Sequence, residues 1–134
     1  MAGYSGTPLV KKLGIKEGHR VALVDAPDGA ADLLGELPAA VTLLRTARAP
    51  IDVVVWFVTE RRVLERKLPG LAERLDRAGG LWICWPKKAS GVATDVTENV
   101  ARDAALALGL VDNKVCAVDD VWSGLRIVYR LRDR

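Results

Sequence analysis

The chain has 134 residues, of which 50% are hydrophobic and 28% are charged, and its net charge is +3 at pH 7. Half hydrophobic content excludes a disordered chain, and the longest apolar run, Val53 to Val58, is too short to cross a bilayer. Basic residues are spread along the chain with acidic residues among them, and only the tail from Arg126 to Arg134 concentrates positive charge, so the charge pattern argues against a nucleic-acid binder.

The first half of the chain indicates a short helix and then strands that alternate with helices. Thr7 and Pro8 are typical of a helix start, with Thr as the N-cap and Pro at the first helical position, and Gly14 ends this helix. The pattern then predicts a strand over 20–24, a loop over 25–29, a short helix over 30–37, a strand over 41–44 and a strand over 52–58. The last run is apolar on both faces, as in a central parallel strand.

The second half continues the alternation and ends on two strands without a helix between them. A helix begins near residue 59, and Pro69 is expected to break or restart it. A buried strand over 81–85 follows, and the next helix is expected to start near Thr94 or Asp95, where Asp95 and Glu98 have the spacing of a capping box. Strands over 114–118 and 125–131 close the chain.

This order of elements predicts the fold class. Strands that alternate with helices form a mostly parallel sheet, and the adjacent final strands make one of them antiparallel. We therefore predict a single Rossmann-like α/β domain over residues 1–134, a three-layer sandwich with a mostly parallel sheet and an antiparallel C-terminal strand.

The cysteines and the one histidine argue against a metal centre. Cys84 and Cys116 lie in apolar runs, no C-x-x-C motif is present, and His19 is the only imidazole. If the final strand lies between the two cysteine strands, they cannot form a disulfide. The N-terminus lacks the charged and apolar segments of a signal peptide, so we expect a cytoplasmic protein.

Two stretches of sequence carry resemblances. The layout from Asp52 to Arg130 resembles the second half of a Rossmann-like methyltransferase domain, with one strand-helix unit missing before Asp52. The runs Gly3-Tyr4-Ser5-Gly6-Thr7-Pro8-Leu9 and Trp85-Pro86-Lys87-Lys88-Ala89-Ser90-Gly91 are similar to a family of small actinobacterial proteins classed only as a domain of unknown function. The first resemblance implies a reduced methyltransferase-like fold, and the second implies no activity.

The cofactor positions of that fold depart from the expected pattern. The loop after the first strand, Asp25-Ala26-Pro27-Asp28-Gly29, has one glycine where methyltransferases and dinucleotide folds have a glycine-rich turn. Arg45 stands at the end of the second strand, where an acidic residue normally holds ribose hydroxyls. The sequence therefore predicts no cofactor.

The basic loop before the fourth helix is the first candidate site. It follows a buried strand and precedes a helix N-terminus, where free N–H groups and the helix dipole attract anions. The predicted anion ligands are Lys87, Lys88, Ser90, Gly91 and Thr94. The same lysines would face water in a solvated loop, which is the alternative interpretation.

Other polar residues are expected at the same edge of the sheet. A cleft there would gather residues from three loops: Ser5, Gly6, Thr7, Asp25, Asp119, Trp122 and Ser123. Helix capping and turn formation are the competing explanation for these types. No serine has a base beside it, since His19 precedes the first strand and belongs to the opposite end of the sheet.

These features favour a non-catalytic binding or regulatory module for a small anionic ligand or a protein partner. The first alternative is a divergent S-adenosylmethionine-dependent methyltransferase or another transferase. The second is a homo-oligomer, in which the final strand pairs at a sheet edge through a face carrying Arg126, Arg130 and Arg132.

Overall fold

The structure is a computed structural model, and it describes residues 7–134. Within that range the helices are α1 (Leu9–Lys12), α2 (Ala30–Leu33), α3 (Arg61–Arg74) and α4 (Glu98–Ala107). The strands are β1 (Arg20–Val24), β2 (Thr42–Leu44), β3 (Ile51–Phe57), β4 (Leu75–Pro86), β5 (Val111–Ala117) and β6 (Trp122–Val128). Short 3₁₀ turns occupy Lys88–Ser90 and Leu131–Asp133.

The strands form one sheet in the order β2-β1-β3-β4-β6-β5. Strands β2, β1, β3 and β4 pair in parallel, whereas β6 is antiparallel to both of its neighbours. Helices α3 and α4 pack on one face, and α1 and α2 pack on the other. The prediction of a Rossmann-like α/β sandwich with an antiparallel C-terminal strand is confirmed.

The central strands supply the core of both faces. Trp56 of β3 is buried against α3, and Trp82 of β4 is buried on the opposite face. The indole N–H of Trp82 donates to the carbonyl of Leu13 at 3.0 Å, which satisfies the polar edge of a buried ring and fastens α1 to the sheet.

Helix α3 runs through Pro69, so the predicted break there is wrong. A proline inside a helix removes one backbone hydrogen bond, here to the carbonyl of Glu65. Both Pro69 and Glu65 lie on the exposed side of α3, where water can satisfy that carbonyl. The buried stripe of Leu64, Leu68 and Leu71 meanwhile continues on the other side without interruption.

Two predicted helix starts differ from the structure. Helix α1 begins at Leu9 with Pro8 in the N-cap position. Helix α4 has Thr97 as its N-cap, whose hydroxyl accepts from the Val100 N–H at 3.2 Å, so the capping box from Asp95 is wrong. The Asp95 carboxylate instead accepts from the backbone N–H of Arg61 at 2.6 Å, at the start of α3. Asp95 therefore caps the start of α3 and not the helix that directly follows it in the sequence.

The final strand is internal, so its predicted place at a sheet edge is wrong. Strand β6 pairs with β4 on one side and with β5 on the other, and this removes the stated basis for a homodimer through that strand. Gly124 of β6 lies between Cys84 of β4 and Cys116 of β5, and both cysteines are free, as predicted.

Candidate functional site

The strand order reverses at β1, which is the topological switch point of the sheet. From β1 the chain moves to β2 on one side, and it then returns past β1 to β3 on the other. In open α/β sheets, ligands bind outside the carboxyl ends of the strands at such a switch point. The loops that follow β1, β2 and β3 are therefore the place for a site.

A cavity of about 680 Å³ opens at the carboxyl ends of β1 and β2. It is lined by the loop over 25–29, the start of α2 and the end of β2. Its apolar surface includes Leu23 and Leu43, and its charged lining residues are Asp25, Asp28, Asp32 and Arg45. The cavity thus offers carboxylates and one guanidinium around an apolar floor.

Asp25 is held in place at the end of β1. Its Oδ2 atom accepts from the amino group of Lys67 at 2.8 Å and from the indole N–H of Trp56 at 3.3 Å. Its backbone has a positive φ of 53°, which turns the chain out of the strand. Gly29, with a φ of 81°, then leads into α2.

A second cavity of about 260 Å³ lies between the ends of β1 and β3. It is lined by Asp25, Phe57, Val58, Thr59, Glu60, Val63 and Trp122. The rings of Phe57 and Trp122 meet edge to face, with centroids 5.0 Å apart. Asp25 also lines the larger cavity, so the two cavities adjoin at this residue, and we call them together the crevice.

Three of the predicted anion ligands donate side-chain hydrogen bonds to backbone carbonyls, one within this loop and two in neighbouring loops. The Lys87 amino group donates to the carbonyl of Asp119 at 2.7 Å, and the Ser90 hydroxyl donates to the carbonyl of Lys87 at 2.6 Å. The Thr94 hydroxyl donates to the carbonyl of Thr59 at 2.6 Å. Lys88 is exposed, and Gly91 ends the 3₁₀ turn with a φ of 74°. No observation tests anion binding here, so it stays a prediction.

The predicted cleft is assembled in part. Asp25 and Trp122 line the same cavity. The Asp119 carboxylate forms a turn by accepting from the N–H groups of Val121 and Trp122, while Ser123 pairs within β6. Thr7 is exposed, and Ser5 and Gly6 lie outside the described residues.

Sequence reasoning missed Glu60 and Asp32 as lining residues of the crevice, and it missed Lys67 as the partner of Asp25. Lys67 lies on α3, in the middle of an amphipathic pattern, and only the packing of α3 beside β1 brings it to Asp25. Arg45 was noticed as a departure at the end of the second strand, and it does line the larger cavity. Its position directly after a strand was the feature of the sequence that could have indicated a role in the site.

Residues 7–134 show neither a metal cluster nor a membrane span. They contain no group of three or more His, Cys, Asp or Glu side chains placed to hold a metal ion. None of the helices in this range has the length and apolar character needed to cross a bilayer.

Solved structures match the chain at low sequence identity. A precorrin-6y C5,15-methyltransferase from Geobacter metallireducens is 12% identical, with a TM-score of 0.60 over 91% of this chain and 86% of that one. Magnesium protoporphyrin IX methyltransferase from Synechocystis PCC 6803 with bound SAM is 12% identical, with a TM-score of 0.59 over 91% and 74%. A SAM dependent methyltransferase from Aquifex aeolicus is 17% identical, with a TM-score of 0.50 over 89% and 86%.

These matches establish a methyltransferase-like fold. No family model and no curated protein matches the chain, so the resemblance to the actinobacterial family stays a prediction. The main functional prediction, a non-catalytic module for a small anion or a partner, is contradicted by structural neighbours that are methyltransferases. They favour the alternative that the sequence left open.

Proposed function

We propose that this chain binds S-adenosylmethionine in the crevice at the carboxyl ends of β1, β2 and β3 and transfers its methyl group to a small acceptor. The observation that carries the proposal is the cavity of about 680 Å³ beside the β1 loop, at the switch point of a methyltransferase-like sheet. The smaller cavity beside Trp122 is the proposed place for the acceptor.

The residues of the larger cavity fit this cofactor in size and in charge. Its volume falls within the range of roughly 300–1,000 Å³ that is usual for small-molecule sites. S-adenosylmethionine has an ammonium group and ribose hydroxyls, which donate hydrogen bonds to carboxylates. It also has one carboxylate, which accepts hydrogen bonds from a guanidinium. The lining offers Asp25, Asp28 and Asp32 for the first role and Arg45 for the second.

The departures from the usual pattern change how the cofactor is held. Pro27 has no backbone N–H, so the loop offers fewer main-chain donors than a glycine-rich turn. Side chains would therefore carry more of the binding here: Leu23 and Leu43 would pack against the base, and the carboxylates and Arg45 would hold the polar groups.

The acceptor side of the crevice combines aromatic walls with a carboxylate. When bound, the cofactor supplies an electrophilic methyl group on a sulfonium. Phe57 and Trp122 hold an apolar acceptor and keep water from it, and the edge-to-face contact fixes both rings. The nucleophilic atom of the acceptor loses a proton to Glu60, whose carboxylate is more than half exposed and lines this cavity.

Calorimetric titration with S-adenosylhomocysteine tests the binding step. Ala31 is exposed and lines the larger cavity, so Ala31→Trp fills that space without changing charge. We expect saturable binding to the wild type and at least tenfold weaker binding to this variant. Ala89→Trp, at an exposed alanine in the 3₁₀ turn, is the matched control and keeps wild-type affinity.

Two results would overturn the proposal. One is the lack of saturable binding of either S-adenosylmethionine or S-adenosylhomocysteine at millimolar concentration. The other is equal affinity in Ala31→Trp and Ala89→Trp, which would place the ligand elsewhere.

The transfer step needs its own measurement. Release of S-adenosylhomocysteine is followed with phenols, amines and carboxylic acids as acceptors. Glu60→Gln is expected to slow release about 100-fold or more while cofactor affinity stays unchanged, since loss of a general base costs roughly 10²–10⁴ in rate. If no acceptor gives release above the uncatalysed rate, methyl transfer is the wrong assignment.

A further inference from the structure

A cavity of about 340 Å³ lies at the other end of the sheet, where the strands begin. It is lined by Gly14, Lys16, His19, Asp52, Val53, Ala78, Gly79 and Arg126. His19 directly precedes β1, and Asp52 is the second residue of β3, so the cavity belongs to the amino ends of these strands. It shares no lining residue with the crevice of the proposed function.

Arg126 brings a half-buried positive charge into this cavity. Among residues 7–134, the one hydrogen bond of its side chain is a long contact of 3.4 Å with the side-chain oxygen of Asn113, and no carboxylate forms an ion pair with the guanidinium. Burial lowers the pKa of its guanidinium, and the nearby Arg134 charge lowers it further. A desolvated guanidinium without an acidic partner is stabilised by an anion.

The Gly79-Gly80 pair makes room for this arginine. A Cβ atom at Gly80 would clash with Nε of Arg126 and would lie 2.7 Å from its Cζ, so the guanidinium lies directly on the glycine backbone. Glycine inside a strand lowers stability, because it loses more backbone entropy and offers no side chain to pack. Its presence in β4 opens the path by which Arg126 reaches the cavity.

Two further donors face the same space. The Nδ1 atom of His19 accepts from the backbone N–H of Lys16 at 3.1 Å, so the neutral ring carries its proton on Nε2. Within the described residues, neither this nitrogen nor the Lys16 amino group has a hydrogen-bond or ion-pair partner. Asp52 is the one carboxylate of the lining, and its Oδ2 accepts from the backbone N–H of Arg20 at 2.8 Å.

We infer that this amino-end cavity binds a small phosphate-bearing anion on Arg126, Lys16 and His19. A planar guanidinium binds two phosphate oxygens at once, and the ammonium and imidazole N–H groups can satisfy the rest. The lining carries two permanent positive charges against one negative charge. The volume exceeds that of a phosphate ion, so a phosphate monoester with a small organic group also fits.

A ¹⁵N–¹H NMR titration tests this site with inorganic phosphate and, separately, with ribose 5-phosphate at constant ionic strength. We expect saturable shifts of the Gly79 and Gly80 amide signals. Tighter binding of the sugar phosphate identifies an ester as the ligand, tighter binding of inorganic phosphate identifies the free ion, and equal binding shows that only the phosphate group is recognised. Each of these results supports the site.

Three substitutions locate the ligand. Arg126→Met is expected to weaken binding at least tenfold, while Arg132→Met makes the same charge change at an exposed residue and leaves binding unchanged. Gly80→Ala keeps the arginine but displaces its guanidinium, so it weakens binding to a similar degree. This variant retains the fold, because the clash falls on the far end of a flexible side chain.

The inference is overturned if neither probe gives saturable shifts at tens of millimolar, or if Arg126→Met and Gly80→Ala both bind as the wild type does. S-adenosylhomocysteine affinity is expected to be the same in wild type and Arg126→Met. The two proposed sites are therefore tested independently.

Discussion

The two ends of the sheet differ in how they are built and in the charge they present. At the carboxyl ends, the larger cavity is lined by the loop after β1 together with the start of α2 and the end of β2, and it carries three carboxylates and one guanidinium. At the amino ends, the cavity depends on Arg126, a residue in the middle of β6 that reaches across the backbone of β4. The first site therefore depends on loop residues, and the second depends on the register of two strands.

Gly79→Ala is the largest disturbance of the amino end. A Cβ at this position would lie 2.6 Å from the carbonyl oxygen of Asp52 and 3.0 Å from Leu75, so backbone must move. We expect a loss of about 3 kcal/mol, near the upper end for overpacking, in urea denaturation. Gly70→Ala is the control, since its Cβ meets nothing closer than 3.9 Å and a helical Gly→Ala change gains about 0.5–1 kcal/mol. Equal stability of the two variants would contradict the clash.

Asp119→Ala breaks a turn at the carboxyl end. Its carboxylate oxygen accepts from the Val121 and Trp122 N–H groups at 2.9 and 2.8 Å. Losing these bonds is expected to lower the free energy of unfolding by about 1–2 kcal/mol and to change the fluorescence of Trp122. Asp120→Ala removes an exposed neighbour that makes no such bond and leaves both quantities unchanged.

Cys84 pairs with Phe57 near the carboxyl end of the sheet, and its buried thiol predicts an alkaline limit to stability. Burial raises the pKa of its thiol well above the ordinary value, with smaller contributions from Cys116 and Asp119. The thiol has a higher pKa in the folded state than in the unfolded state, so its contribution to the free energy of unfolding is complete below the unfolded-state pKa. That contribution is lost as pH rises from the unfolded-state pKa toward the folded-state pKa. The expected loss is below about 1 kcal/mol at pH 9.

Denaturation of the wild type and Cys84→Ala between pH 8 and pH 10, one unit either side of the ordinary thiol pKa of 9.0, measures this loss. The wild type should lose more stability over that interval than the variant does. Cys116→Ala is the comparison: burial also raises the pKa of Cys116, but Lys12 and Lys114 oppose the shift. Parallel curves for wild type and Cys84→Ala would show that this thiol does not contribute.

Lys67→Met gives the smallest expected effect on stability. The ion pair with Asp25 is partly exposed on both sides, so it contributes under about 1 kcal/mol. The change frees the Asp25 carboxylate, and we expect a several-fold change in S-adenosylhomocysteine affinity with little change in Tm. A large drop in Tm with unchanged affinity would mean that the pair stabilises the fold and does not position the carboxylate.

The strands were predictable where burial alone defines them. The unbroken apolar run of β3 predicted a central strand, and it pairs on both sides within the core. The first half of β4 was missed because Asp76, Arg77 and the glycine pair are not typical of a strand. They extend β4 through contacts with other elements, which no local pattern contains.

The crevice and the amino-end cavity were predictable to different degrees. Asp25 and Arg45 were visible because residues after a strand mark its carboxyl end. Arg126 looked like one of several solvated arginines in an alternating strand, since only the register of β6 against β4 places it over Gly80. The predicted homodimer edge failed for the same reason, because strand order is set by tertiary contacts.

The positive φ of Asp25 limits which relatives of this chain can keep the crevice. At 53°, the backbone is in the left-handed region that glycine, asparagine and aspartate tolerate and bulkier residues avoid. Asparagine preserves the turn but removes the charge, whereas glutamate preserves the charge in a conformation it disfavours. In a library of every substitution at position 25, chains that fold but lose the cofactor should therefore concentrate on asparagine and glycine. Any substitution at position 25 is therefore expected to remove either the carboxylate or the backbone turn.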